Sequence, residues 1–279
     1  MKEFLRHFIS ILAALSSVAT LLSFITGWQI QSECIWIPIV SALCILASCV
    51  SYAFWQTRKK KKITLNINSS LKLTIQEADI FAQNGIIVIG VNEYFDTHVG
   101  DGVVSEKTLH GLFINKYYKD HLTDLDKDIK ESLEIQKVKP IESNCKRRHS
   151  SGKTDKYDLG TCALIHDGGK KYILVALTHF DDNDKANMTR DELNLVLGKL
   201  MTFIEINAET REVHMPILGT GLARLNRSSN RILNFTIDVL DFIHGSQILG
   251  GLYIDIISLK SAGIDLNKIE NQFNNNIKD

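Results

Sequence analysis

His214-Met215-Pro216-Ile217-Leu218-Gly219-Thr220-Gly221-Leu222-Ala223-Arg224-Leu225 is the stretch whose reading decides the fold. An apolar strand, Val213 to Leu218, runs into Gly219-Thr220-Gly221, and a helix capped by Ser228/Ser229 is predicted beyond it, lasting to His244. Glycines at the C-terminal end of a strand let the backbone approach a ligand closely, with no Cβ in the way. Successive N–H groups in such a turn can form a nest for an anion. A diphosphate suits it, and Arg224 adds a charged donor. Taken alone, the turn reads equally as a tight strand-to-helix connection.

A second loop of the same build lies upstream. Ile86 to Val91 (IIVIGV) is continuously apolar, which suits a strand buried on both faces. It ends in Asn92-Glu93-Tyr94-Phe95-Asp96, followed by Gly100-Asp101-Gly102-Val103-Val104 and a helix predicted from Val104 to Tyr118. Two such loops at one sheet edge can grip a diphosphate from both sides.

The remaining elements alternate. Ile63 to Ile67 and Leu71 to Ile75 have strand periodicity. Cys162 to Ile165 and Tyr172 to Thr178 read as strands joined at Asp167-Gly168-Gly169. Thr189-Arg190-Asp191-Glu192 has the capping-box pattern and opens a helix to about Asn207. Leu252 to Leu259 reads as a strand, and a last helix follows from Asp265. Leu122 to Asp158 is polar and charged; a poorly packed helix and then a loop are expected there. Strands alternating with helices predict an α/β domain with a mixed or parallel sheet covered on both faces.

The N-terminal part differs in kind. Phe8 to Trp28 and Ile35 to Trp55 are uncharged runs of 21 residues each. At about 1.5 Å per helical residue, each reaches roughly 30 Å, the thickness of a bilayer's hydrocarbon. The short link Gly27 to Cys34 fits a helical hairpin, and Trp28, Trp36, Tyr52 and Trp55 sit near the run ends as interfacial aromatics do. Arg58-Lys59-Lys60-Lys61-Lys62 follows the second run, and Lys2 and Arg6 precede the first. That pattern places both flanks in the cytoplasm, and the basic run would attract anionic lipid. A cleaved signal peptide, or helices buried in a soluble fold, fits the two adjacent runs less well. Small residues at i,i+4 spacing, such as Ala13/Ser17 and Ala47/Ser51, allow close helix packing, within one hairpin or between chains.

The net charge is zero. Residues 1–62 carry seven Lys/Arg and two Asp/Glu, so +5, and the remaining 217 residues carry −5. The acidic larger part argues against a nucleic-acid partner. Five cysteines without a CxxC pair, and no Cys/His cluster at zinc spacing, read as free thiols with no metal site. Other chemistry-bearing residues have plainer readings. His98, His110 and His179 are within chain reach of the glycine loops but are read as surface or core histidines. Ser150-Ser151-Gly152-Lys153-Thr154 lacks the upstream glycine of a P-loop. Asp181-Asp182-Asn183-Asp184 lacks the ligand spacing of a calcium loop.

These motifs, in their order, resemble a macro domain, the ADP-ribose-binding three-layer α/β/α fold. The resemblance rests on Asp79 before the first buried strand, the Val91-Asn92 loop, the Gly100-to-Val104 loop, Leu159-Gly160 and the Pro216-to-Gly221 loop. It implies that Asp79 accepts from the adenine amino group. Val91, Asn92, Gly100, Gly102, Val103 and Val104 would hold the ribose and diphosphate region, and Gly219, Thr220, Gly221 and Leu222 would wrap the diphosphate, with Arg224 beside them. Hydrolytic members resemble N-A-A-N in the first loop and G-V-D-G at the following helix. Here Phe95 replaces the second Asn and Ser105 the Asp. The water-positioning carboxylate is thus missing, with Glu93, Asp96 and Asp101 as nearby substitutes. No catalytic residue and no cofactor is expected; the alternative is a membrane-tethered ADP-ribosyl or ADP-ribose-derivative hydrolase.

Two spans, a basic collar and a macro-like domain together resemble the membrane effectors of the bacterial type II Thoeris anti-phage system. The resemblance implies a division into 1–57 (transmembrane hairpin), 58–62 (collar) and 63–279 (ADP-ribose-derivative-binding domain). It implies a messenger, histidine-linked ADP-ribose, made by a partner TIR-domain enzyme. It further implies a multi-pass protein of the bacterial inner membrane, with both termini and the macro-like domain cytoplasmic, that oligomerises when activated, disrupts the bilayer and kills the cell.

Overall fold

The computed structural model describes residues 5–6, 8–17, 36–56, 58–147, 149–181, 185–221, 225–243 and 247–276. The chain divides into two compact units, Met1–Lys59 and Lys60–Asp279.

In the first unit, residues 8–17 form a helix (α1) and Trp36–Gln56 a helix of 21 residues (α2). Their hydroxyls fold back onto the helix itself. Ser17 Oγ donates to the Ala13 carbonyl and Ser48 Oγ to that of Cys44. This satisfies the polar group locally, as an apolar surrounding demands. Leu43, Ile45, Leu46 and Phe54 are exposed, whereas Cys49 and Ala53, one turn apart, are buried. The side chains of α2 are described for 43–54 only, and among the described residues no helix is long and apolar enough to cross a membrane. Most of the first apolar run, and the link between the runs, lies outside the described residues. The two-span hairpin is therefore not shown.

The second unit is built on a sheet whose strands are β1 (Lys62–Asn66), β2 (Lys72–Glu77), β3 (Ile86–Asn92), β4 (Cys162–Asp167), β5 (Lys170–Phe180), β6 (Ala186–Asn187), β7 (Val213–Met215) and β8 (Leu252–Ile256). Their order is β1-β2-β8-β7-β3-β5-β4, with β6 pairing β5. β2, β8, β7, β3 and β5 run parallel, and β1 and β4 are antiparallel edges. The sheet is thus mixed, with helices on two faces.

The apolar run of β3 explains its central place. Ile86 and Val88 enter one core, with α5 (Arg190–Asn207) and α6 (Ser229–Phe242). Ile87, Ile89 and Val91 enter the other, with α3 (Leu109–Tyr117) and α4 (Leu122–Ile135). α5 starts at the expected capping box, Thr189 and Glu192 bonding each other's backbone N–H. The described cysteines 44, 49, 145 and 162 are free. Burial pushes the Cys162 thiol up to about 12, which keeps it inert.

Several boundaries differ from the sequence reading. β7 stops at Met215, because Pro216 has no N–H to give the ladder. The helix expected from Val104 begins at Leu109, where the Thr108 hydroxyl accepts from the Gly111 N–H. α4 is well packed: Leu125, Ile129 and Leu133 recur at i,i+4 and are all buried. The stretch after it docks onto the domain, with Glu142 bridging Lys156 and the Arg147 side chain only 3% exposed. β8 ends at Ile256, and a short helix, α7 (Leu259–Ala262), precedes α8 (Leu266–Asn276). The basic collar is partly tied down. Lys60 pairs with Glu270 and Lys61 with Glu77 at 2.9 Å; the Lys61 hydrogen bond holds the Glu77 carboxyl below its ordinary range.

Candidate functional site

The parallel strands all end at one edge of the sheet, where open α/β sheets present ligand crevices. A cavity of about 470 Å3 lies there, within the range of organic-ligand pockets. One wall is formed by residues 216–221. Gly219 has φ +88°, a conformation L side chains rarely adopt, and a Cβ there would lie 2.6 Å from Leu225 Cδ1. Thr220 Oγ1 donates to the Ile217 carbonyl at 2.8 Å and tightens the turn. Gly221 opens onto free space. The expected Gly219, Thr220 and Gly221 therefore all line the cavity; Leu222 and Arg224 lie outside the described residues.

The facing wall comes from the segment after β3. Val91, Asn92, Val103 and Val104 line it, as the sequence suggests. The Asn92 side chain, however, is engaged within its own loop. Its Oδ1 accepts from the N–H groups of Tyr94 and Asp96, and its Nδ2 donates to Asp96 Oδ2. Gly100 and Gly102 do not line the cavity. They turn the chain at φ +105° and +82°, and a Cβ on Gly102 would lie 2.7 Å from the His149 ring. Their part is to deliver Val103 and Val104.

Glu93 and Asp96 are buried structural anions. Asp96 accepts from Arg147 Nη2 at 3.0 Å and from the Lys153 N–H at 2.6 Å. The Arg147 guanidinium also lies 3.9 Å from the Tyr94 ring centroid. Glu93 accepts from the Phe180 N–H at 2.9 Å and pairs with Lys156 at 3.4 Å. Asp101 is exposed and pairs with His98 at 3.1 Å. Among the described residues no Asp or Glu lines the cavity.

Asp79 is exposed, and its Oδ1 accepts from the Phe81 N–H at 3.0 Å, capping a turn at Ile80–Ala82. It follows the end of β2, so it sits at the same sheet edge without lining the cavity. His110 does line it, and it is buried at 6% exposed, in keeping with the expected core histidine. Burial, and then the charge of Lys153, drives its imidazole down to about 3, so the ring is neutral at physiological pH. Its helical position, two residues past the Thr108 cap, was the only available signal. Thr178 and Phe180, at the end of β5, were missed. Among the described residues no cluster of three or more His, Cys, Asp or Glu could hold a metal ion.

Comparison with known proteins agrees with this geometry. The family model described as Thoeris protein ThsA, macro domain, matches residues 73–247. Thoeris protein ThsA of Bacillus amyloliquefaciens (strain Y2) is 31% identical over 227 residues, 80% of this chain and 72% of that protein. Among solved structures, a variant of the Oceanobacillus iheyensis macrodomain with ADPR has TM-score 0.51 and 13% identity, covering 76% of this chain and 99% of that one. The same macrodomain with MES bound has TM-score 0.51 and 13% identity, covering 77% and 98%. At that identity the likeness establishes the macrodomain fold. Matched over most of its length in sequence, the chain belongs to the Thoeris ThsA family and carries its macro domain.

Proposed function

We propose that this protein is an anti-phage effector whose macro domain senses an ADP-ribose-derived messenger and does not turn it over. One observation carries the reading. Residues 216–221 line a ligand-sized cavity that, among the described residues, no carboxylate lines. Such a wall binds a diphosphate through N–H groups, while hydrolysis needs a positioned acid or base. Glu93 and Asp96, which could have served, are already paired. Family membership and the macrodomain fold, seen with ADPR in the O. iheyensis protein, support the ligand class. Asp79 would reach the adenine from the edge of the sheet.

The messenger in this reading is histidine-linked ADP-ribose from a partner TIR-domain enzyme. The output is oligomerisation and bilayer disruption by 1–57, at the inner membrane with the macro domain in the cytoplasm. The uncharged sequence of α2, its outward-facing Leu43 and Phe54 and its back-bonded serines support an apolar surrounding. A messenger that takes the protein from mostly off to mostly on must bind the active state better by about 5.5 kcal/mol, and association of chains can contribute part of that.

The test is calorimetry of the full chain in detergent against ADP-ribose, NAD and histidine-linked ADP-ribose. The recovered ligand is analysed, and the protein's mass is followed by light scattering. Binding of an intact ADP-ribose-type ligand with growth in mass is expected. No binding would sink the sensor reading, and released product would replace it with the hydrolase.

A further inference from the structure

Behind the glycine loop lies a second cavity, of about 570 Å3, where the N-terminal ends of α5 and α6 meet. The two cavities share the loop as a wall. Ile217 to Gly221 line the first, while Leu225, Leu193 and Ile232, the groups nearest a Cβ on Gly219, all line the second.

Its chemistry differs sharply from that of the first. Arg190, Arg227 and Arg231 line it and, among the described residues, no acid does, over a floor of Met188, Leu193, Ile232 and Phe235. Arg190 has one carboxylate near it, Asp191 at 3.7 Å, and both side chains are largely exposed. Among the described residues Arg227 and Arg231 enter no ion pair. The Arg190 guanidinium lies 5.8 Å from the Phe235 ring centroid, which holds it above the floor. Three like charges around one hollow repel one another, and a shared anion removes that cost. Guanidinium groups suit carboxylate and phosphate in particular, because their N–H donors match two oxygens at once. The Ser228 side chain makes no capping bond to α6, so the first N–H groups of that helix add to the same field.

We propose that this cavity is a second, anion-selective subsite. It takes a carboxylate or phosphate borne on an apolar body, one loop's thickness from the ADP-ribose cavity. The anion is either the far end of the messenger, a case that rests on the sensor reading above, or a separate small molecule, which does not need it.

The test uses the full chain in detergent, as wild type and as Arg227→Gln/Arg231→Gln. Arg231→Glu is a second variant; both side chains are exposed, so the fold tolerates these changes. Calorimetry compares ADP-ribose, histidine-linked ADP-ribose (which carries a carboxylate) and inorganic pyrophosphate added over saturating ADP-ribose. The variants should leave ADP-ribose within two-fold. A ten-fold loss confined to the histidine-linked compound assigns the subsite to the messenger. A ten-fold loss confined to pyrophosphate assigns it to a separate anion. The proposal is overturned if both probes stay within two-fold, if wild type binds neither, or if ADP-ribose weakens as much as they do. If wild type fails to bind ADP-ribose, the sensor reading falls, and pyrophosphate still decides the arginine pocket.

Discussion

Gly219-Thr220-Gly221 and Gly100-Asp101-Gly102 follow parallel strands and turn on glycines of positive φ, yet only the first faces the cavity. The first is an open turn held by one hydroxyl, Thr220 to the Ile217 carbonyl. The second lies beneath His149, in the docked segment that also supplies Arg147 to Asp96. A glycine motif therefore reports the backbone conformation; which way it faces depends on what packs behind it.

The largest expected effect breaks the second loop. Asp96 and Arg147 are both nearly fully buried, at 1% and 3% exposed. Removing one partner leaves an uncompensated charge, which costs about 3–5 kcal/mol. Asp96→Ala should therefore lower stability by about that much in denaturant unfolding of the full chain. Asp96→Ala/Arg147→Met should cost less than Asp96→Ala alone. Equal costs would mean that the pair does not hold the loop.

The next effect separates the loops directly. Gly219→Val places a branched side chain in a strained φ against Leu225 and deforms the cavity wall. ADP-ribose affinity should fall by about 100-fold, or roughly 2.7 kcal/mol. Gly102→Val is as strained but meets His149, so it should lower the Tm while leaving ADP-ribose affinity within about three-fold. If the two variants lose affinity alike, the second loop touches the ligand after all.

The first loop was legible because its signal is local: a strand, a proline and then two glycines flanking Thr220. The same holds for the IIVIGV strand and the Thr189 capping box. The second loop was not, because its partner is distant. Cys145-Lys146-Arg147-Arg148-His149 reads as a solvated basic run, and nothing in it says that Arg147 lies under Tyr94 and Phe180. The polarity of Leu122 to Asp158 likewise hid the buried i,i+4 stripe of α4. Asn92 is of a type that suits a ligand group, whereas its bonds to Asp96 show that it shapes the loop first.

A smaller effect concerns pH. His110 is held near 3 in the folded chain by burial, and its unfolded value is about 6.5. Between those values the unfolded state binds the extra proton, so stability falls as pH drops from about 6.5 toward about 3. The slope from this group is at most about 1.4 kcal/mol per pH unit. His110→Leu should flatten the stability profile in that window and leave it unchanged above pH 7. An unchanged slope would mean that the ring is not buried neutral beside the cavity.

The smallest effect tests the edge of the site at Asp79. Its carboxylate caps one short turn, and loss of such a cap costs about 0.5–2 kcal/mol in helices, with exposed turns at the low end. The cap uses Oδ1, so Oδ2 is left for an adenine amino group, a net hydrogen bond of about 1–2 kcal/mol. Asp79→Asn keeps an acceptor oxygen for the cap and replaces the other oxygen with a donor. It should hold the Tm within about one degree and weaken ADP-ribose by roughly ten-fold, while leaving ribose-5-phosphate, which has no adenine, unchanged. Equal loss for both ligands would place Asp79 in support of the loop, and no loss for either would leave the adenine to the backbone alone.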